Sequence, residues 1–556
     1  MRTGIMDALF DAGPSRISVL VAPTGYGKTS AVHYSWRELL NKWGRVVHVL
    51  PLRALVSNVC SNAVDRGVPI NLISYQAMLR EIEKHEVRKS PYMFSPYAVT
   101  TYDSFLTSMY VAPVAELSHI YAHRDTGLLV AAGGVLLDEV HLVLSIDKVD
   151  DTSGEWKKAL TSMIFTLEAL SFMDRPTVLV TATLSREVLR YLEKELKRKG
   201  IEVVLHLCLG ERGLRYYSGA VQYTVEHGLD KDYDSLYDKY SRVSLTEVSK
   251  EGLEKDVLSA LDHSQSVLVF CNTVHRAVDV YKKIKEIVDV PVLLLHARLA
   301  EKHREAVLRT VNDLLGNKSF VLISTQCLEA GADLDFDTVV TEVAPPGSLI
   351  QRAGRAIRNL RERLEREERR PQVIISISED SLKSASEVYP AESVKAVLGQ
   401  LKSGTYFLDW RFGKSGPSFI DLLATVSYSP EIDFNVQLLL KGLLELQFVV
   451  EKNIIDILGE LDDNMRGSLL KDAALIPLIV EDDVVTVSLD YLNKHQDILE
   501  LRNGRAVVIL DNGERTLNLR SLLQRPLSNL HKLSREGKFL GLKVRESAYS
   551  PEVGLP

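Results

Sequence analysis

The sequence predicts an α/β protein, with two tandem domains on parallel sheets followed by a smaller mixed α+β domain. Three observations carry this. From residue 17, apolar strand-like runs alternate with amphipathic or charged helical stretches, the rhythm of a parallel sheet covered by helices. A polar interval from about 225 to 262 interrupts the rhythm, which then restarts. Past residue 385 the texture changes to long apolar helices and then to short strands. The expected boundaries are 1–212, 213–390 and 391–556.

In the first domain the runs SVLVA, RVVHVLP, YAVTTY, GGVLLDE, TVLVTAT and EVVLHLCL read as buried strands. In the second, SVLVFCNT, PVLLLHA, FVLISTQ, DTVVTEVA and QVIISIS repeat the grammar. The third begins with the helical pattern VQLLLKGLLELQFVVEKNIIDIL. It continues with VVTVSLDYL and RAVVILDNGERTLNL, where Asn512-Gly513 signals a hairpin. The chain of 556 residues is too long for one core. Its 46% hydrophobic and 25% charged residues are ordinary for a soluble globular protein. A net charge of −7 argues against a surface coated with basic patches, although a local basic groove remains compatible with nucleic acid. The four cysteines form no C-x-x-C pair, which fits a reducing compartment and offers no cysteine zinc site. No apolar run approaches membrane-spanning length and the N-terminus does not read as a signal peptide, so the expectation is a cytoplasmic protein without membrane contact.

Three stretches carry chemistry. In VLVAPTGYGKTS (19–30) a strand runs into Gly25, Gly27 and Lys28 before a helix. Such a turn can aim successive N–H groups at one phosphate, with Lys28 on the β- and γ-phosphates and the Thr29 hydroxyl on Mg²⁺. Ala22 stands where the usual pattern has its first glycine, and a plain strand-to-helix turn is the competing reading. VLLDEVH (135–141) places Asp138 and Glu139 at a strand end, where α/β sheets bind ligands. There Asp138 suits Mg²⁺ and Glu139 suits an attacking water; two solvated acids are the bland alternative. APPGSLIQRAGRAIR (344–358) reads as helical, with Arg352, Arg355 and Arg358 spaced by three among small residues. Either it is a solvated basic face, or it reaches a nucleotide held by the other domain as an arginine finger does.

In this order the motifs resemble a superfamily 2 helicase with two RecA-like domains, and more narrowly the signature helicase of type I CRISPR interference. The match covers about the first 390 residues. Besides the three stretches above it includes PLRALVSN (51–58), VTTYDSFL (99–106), TATLS (181–185), VLVFCNTVHRA (267–277), LLLHARL (293–299) and STQCLEAGADLDFD (324–337). YSPEVGL (549–555) resembles that family's usual ending. The resemblance implies ATP at Thr24, Gly25, Gly27, Lys28, Thr29 and Ser30, with Asp333 at the ribose. It implies Mg²⁺ at Thr29 and Asp138, water at Glu139, and the γ-phosphate facing Gln351, Arg355 and Arg358. Single-stranded DNA, free or in an R-loop, would lie along Arg53, Thr101, Thr273, His296 and Thr325. His141, with Thr181 and Thr183, would couple the two sites, unless His141 is simply a satisfied histidine in the cleft.

The sequence departs from that family at its start. Full-length members carry an HD-type nuclease domain before the helicase, whereas here the P-loop begins near residue 20. None of the fourteen histidines is followed by Asp. The expectation is a helicase-only form, with a separate nuclease subunit and a Cascade-type surveillance complex as partners. The upstream glutamine that reads adenine in many relatives is also missing. His119 and His123, spaced i, i+4, and Asp125 could hold a metal, although surface histidines explain them more simply. RNLRERLEREERRP (358–371) reads as a solvated helix laced with i, i+4 pairs. Two rival functions stay open: a helicase of RNA processing or repair, and a non-unwinding subunit that docks the nuclease to the surveillance complex.

Overall fold

The computed structural model describes residues 2–76, 87–90, 93–110, 133–144, 155–329, 334–356, 358–365, 372–425, 430–448, 454–470 and 474–556. Its first sheet has nine strands: β1 (Arg16–Val21), β2 (Val46–Leu50), β3 (Ile73–Gln76), β4 (Arg88–Lys89), β5 (Tyr97–Thr101), β6 (Gly134–Leu137), β7 (Thr177–Thr181), β8 (Glu202–Leu207) and β9 (Tyr223–Glu226). Their order is β4-β3-β5-β2-β6-β7-β1-β8-β9. Every pairing is parallel. The six expected runs all form strands of this sheet. Their continuous apolar composition follows from burial on both faces, as a helix-covered parallel sheet requires. In β1, Ile17, Val19, Leu20 and Val21 are all buried.

The second sheet contains β10 (Leu245–Ser249), β11 (Ser266–Phe270), β12 (Val292–Leu295), β13 (Phe320–Ser324), β14 (Thr338–Glu342), β15 (Gln372–Ser376) and β16 (Gly404–Tyr406), in the order β12-β13-β11-β14-β15-β10-β16. All pairings are parallel except the antiparallel edge strand β16. Strand β10 lies inside the polar interval. LTEVS has only two apolar residues, Leu245 and Val248, one on each face, so the strand escapes a search for continuous apolar runs. The sheets also cross the expected boundaries. Strand β9 extends the first sheet beyond residue 212, and β16 extends the second beyond residue 390.

Two helices, Phe434–Phe448 and Ile454–Met465, precede a mixed six-stranded sheet of β17 (Leu475–Val480), β18 (Asp483–Ser488), β19 (Leu501–Arg502), β20 (Arg505–Leu510), β21 (Gly513–Leu517) and β22 (Phe539–Lys543). The Asn512-Gly513 turn joins β20 to β21, with Gly513 at φ 128°. VVTVSLDYL divides at Ser488, whose hydroxyl accepts from the Tyr491 N–H and caps a short helix. Among the described residues no helix is long and apolar enough to cross a membrane.

Candidate nucleotide site between the two parallel-sheet domains

The adjacency of β6, β7 and β1 brings three loops to one carboxyl edge of the first sheet. The loop after β1 turns through Gly25 (φ 74°) and Gly27 (φ 93°), left-handed conformations in which a Cβ would be strained. The helix Lys28–Tyr34 starts directly at this turn. Lys28 is buried, and its Nζ donates to the carbonyls of Ala22 (3.1 Å) and Pro23 (3.0 Å). Thr29 Oγ1 lies 3.3 Å from Asp138 Oδ2, and Ser30 follows on the same turn of helix, half-buried. A threonine hydroxyl beside an ionised carboxylate is a hard-oxygen donor pair that suits Mg²⁺.

Asp138 ends the β6 segment and is held from behind. His48 Nε2 on β2 stands 3.2 Å from its Oδ2, and His48 Nδ1 faces the Tyr97 hydroxyl at 3.2 Å. The Tyr102 hydroxyl donates to the Asp138 carbonyl at 3.1 Å. Burial alone would raise the Asp138 pKa. The His48 hydrogen bond and the charges of His48 and Lys28 outweigh it and hold the carboxyl below the ordinary range. Glu139 shifts the opposite way: burial and the neighbouring Asp138 raise it, against the pull of Lys28, Arg358 and Arg355. Its backbone takes φ 51°, which lies outside the usual range for a non-glycine residue.

His141 connects the acids to β7. Its Nδ1 lies 3.4 Å from Glu139 Oε2 and 3.2 Å from Thr181 Oγ1, which in turn accepts from the Thr183 N–H. Burial pushes the His141 pKa down to about 3, so the ring is neutral near pH 7.

The second domain closes over this edge. Its helix Pro346–Ala353 stops before the second arginine, which corrects the expectation of one helix through residue 358. Gly354 makes the turn, and a Cβ there would stand 3.0 Å from the Thr24 hydroxyl. The three arginines therefore separate. Arg352 is fully buried within its own domain. It donates to Glu329 Oε1 (2.8 Å), Asn272 Oδ1 (3.0 Å), Thr341 Oγ1 (3.0 Å) and the Tyr389 hydroxyl (3.0 Å). Arg355 donates to the Glu329 carbonyl at 2.8 Å, and its charge and that of Arg358 bear on Glu139. The Arg358 backbone N–H is held by Asp335 at 2.9 Å. The Thr24 hydroxyl and the Gln351 amide nitrogen are buried without a hydrogen-bond partner among the described residues, and Glu139 Oε2 has only the long 3.4 Å approach of His141 Nδ1. Those unmatched polar atoms, with Lys28 and the arginines, fit a polyanion and its cation. Asp333 lies outside the described residues, as do His119, His123 and Asp125.

The expected nucleic-acid contacts divide. Thr273 caps the helix Val274–Ile287, accepting from the Arg276 N–H at 3.1 Å. Thr325 and Thr101 are buried at the ends of β13 and β5, and the Thr101 hydroxyl bonds Ser104 at 3.0 Å. Arg53 opens the helix Arg53–Asp65 and donates to Thr486 Oγ1 of the third domain at 2.7 Å. His296 faces no open surface in this form. It is fully buried, and Gly554 packs against it so closely that a Cβ there would lie 2.9 Å from its ring. The charged stretch after Arg358 is also not an i, i+4 ladder over its described part. Arg361 pairs with Asp232 at 2.6 Å, and Arg363 pairs with Asp335 and Asp337.

Comparison with known proteins matches two family models to the chain. DEAD/DEAH box helicase covers residues 6–191, and CRISPR-associated nuclease/helicase Cas3, C-terminal, covers residues 263–361. The putative CRISPR-associated nuclease/helicase Cas3 of Methanocaldococcus jannaschii is 27% identical over 369 residues, 61% of this chain and 44% of that protein. The CRISPR-associated nuclease/helicase Cas3 of Methanothermobacter thermautotrophicus is 27% identical over 367 residues, 62% of this chain and 39% of that protein. The crystal structure of T. fusca Cas3-ADP shares the fold with a TM-score of 0.53 at 20% identity, over 81% of this chain and 55% of that one. The chain thus spans less than half the length of these two sequence relatives.

Proposed function

This chain carries Cas3-like helicase domains, and from them we propose an ATP-driven translocase on single-stranded DNA that unwinds target duplex in type I CRISPR defence. The observation that carries the reading is that Glu139, next to the Thr29–Asp138 pair on one domain, lies in the field of Arg355 and Arg358 from the other, whose backbone meets the phosphate loop at Gly25. The triphosphate would displace the Ala22 and Pro23 carbonyls from Lys28 and take the loop N–H groups. Thr29 and Asp138 would hold Mg²⁺, which when bound neutralises phosphate charge.

Glu139 orients a water whose oxygen forms the new bond to the γ-phosphorus. The bond to the β–γ bridging oxygen breaks, leaving ADP and inorganic phosphate, and the water's proton passes to Glu139 or directly to phosphate. Arg355 offsets the charge on the transferring group from the second domain, so turnover requires the domains to close and is coupled to motion along the strand. The Glu139–His141–Thr181 chain supplies a route for that coupling. Nuclease chemistry belongs on this reading to a separate HD-type subunit, brought together with the helicase by a Cascade-type complex.

Phosphate release from Mg²⁺-ATP, measured alone, with single-stranded DNA and with matched RNA, tests this. Stimulation by DNA alone is expected. Equal stimulation by RNA would favour a helicase of RNA processing, and no stimulation by either would contradict a translocase.

A further inference from the structure

Arg411 lies far along the chain, in FLDWRFGKSG (407–416), outside every motif described above. It is 1% exposed, sandwiched between the phosphate loop of the first domain and the arginine segment of the second. Its Nη2 donates to the carbonyls of Gly354 (3.1 Å) and Ala356 (2.6 Å), on either side of Arg355. Its Nη1 points at the phosphate loop, where a Cβ on Gly25 would stand only 3.1 Å away. Neither Nη1 nor Nε makes a close hydrogen bond, and the group nearest the guanidinium on its far side is the neutral Tyr240 hydroxyl.

No carboxylate among the described residues pairs with this guanidinium. The nearest in sequence, Asp409, is committed elsewhere: its oxygens accept from the backbone N–H groups of Arg411 (3.1 Å), Phe412 (2.8 Å) and Lys414 (2.9 Å). The segment is itself braced. Phe412 packs against Tyr233, Tyr237 and Tyr240, and Tyr26 of the phosphate loop meets Tyr233 edge-on at 5.0 Å. A buried cation without an anion is costly, and a fixed one is retained where an anion arrives to meet it.

We propose that Arg411 is a further nucleotide-contacting residue, donating from Nη1 to a terminal phosphate oxygen while its Nη2 fixes the backbone that carries Arg355. The proposal rests on the nucleotide reading given above. It makes the segment after the second sheet a third wall of the site, one that senses whether a terminal phosphate is present. A diphosphate leaves that donor unmatched, so Arg411 discriminates ATP from ADP. The guanidinium fork suits this double duty, whereas a lysine ammonium offers one point charge that cannot serve the carbonyls and the phosphate together.

The test is equilibrium binding of Mg²⁺-ATPγS and Mg²⁺-ADP to the full chain, wild type against Arg411→Met and Arg411→Lys, with melting followed on the same samples. In wild type the triphosphate analogue should bind more tightly than ADP. Both variants should lose about tenfold of that preference while ADP affinity changes little, the scale of hydrogen bonds to a charged group. A wild-type preference in folded Arg411→Met overturns the proposal. If Arg411→Met does not fold, a wild-type preference in Arg411→Lys overturns it equally. Wild-type protein that binds neither nucleotide would overturn the nucleotide site itself, and Arg411's role with it.

Discussion

His48 Nε2 stands 3.2 Å from Asp138 Oδ2, with both residues buried and the two strands side by side in the first sheet. The histidine lies behind the acid, away from the nucleotide face, and supports the ionised form that a cation requires. Asp138's lowered pKa contributes stability above the carboxyl's unfolded value of about 4, and that stability is lost as pH falls through the folded value. His48→Leu should therefore cost about 1–3 kcal/mol at pH 7 and move acid unfolding to higher pH. Denaturant titrations at several pH values check this; an unchanged acid midpoint would remove His48 from the role.

Glu139 gives the opposite sign. Its raised pKa places protonation above the ordinary glutamate range, so hydrolysis should fall on the acid side while Asp138 is still ionised. Glu139→Gln should retain nucleotide and lower turnover by about 10²–10⁴. A pH–rate profile of wild type, with a binding measurement on the variant, separates this from loss of the site. His141, neutral well above its pKa of about 3, should add no further step between pH 5 and 8.

Arg355 and Arg352 stand three residues apart and should fail in different ways. Arg355→Ala should keep nucleotide affinity and lose about 10³–10⁵ in hydrolysis, as removal of an arginine finger does. Arg352→Met leaves the Glu329 carboxylate buried without its ion pair, and should cost about 3–5 kcal/mol of stability. Turnover and melting measured on both variants decide the assignment; the reverse pattern would exchange the two roles.

That contrast marks how far the sequence could be read. Six of the nine strands of the first sheet and five of the seven of the second were legible because burial on both faces leaves an unbroken apolar run. Strand β10 was hidden in the polar interval, and edge strands such as β4 and β9 are too short or too exposed to stand out. The loop glycines, Lys28 and the Asp138-Glu139 pair were legible from their spacing. The family resemblance singled out Arg355 and Arg358 from Arg352, but the spacing alone suggested one continuous helix, whereas the helix ends at Ala353. His48 and Arg411 carry no motif at all: one is a single polar residue in an apolar strand, the other lies 53 residues beyond Arg358, the end of the arginine segment. Only the folded chain brings them to the site. The burial of His296 beneath residues 553–556 likewise depends on the tail returning to the second domain, where Leu555 N donates to the Arg298 carbonyl at 3.1 Å.

On the proposed function, the loop from Gly25 to Thr29 holds a triphosphate for hydrolysis. The most direct test is phosphate release from Mg²⁺-ATP by wild type and by Lys28→Ala, both shown by melting to be folded and both supplied with single-stranded DNA. Wild type should turn over, and the variant should fall by about a hundredfold or more, as loss of a charge-assisted contact made to the transferring phosphate requires. Equal rates in the two proteins would contradict the assignment.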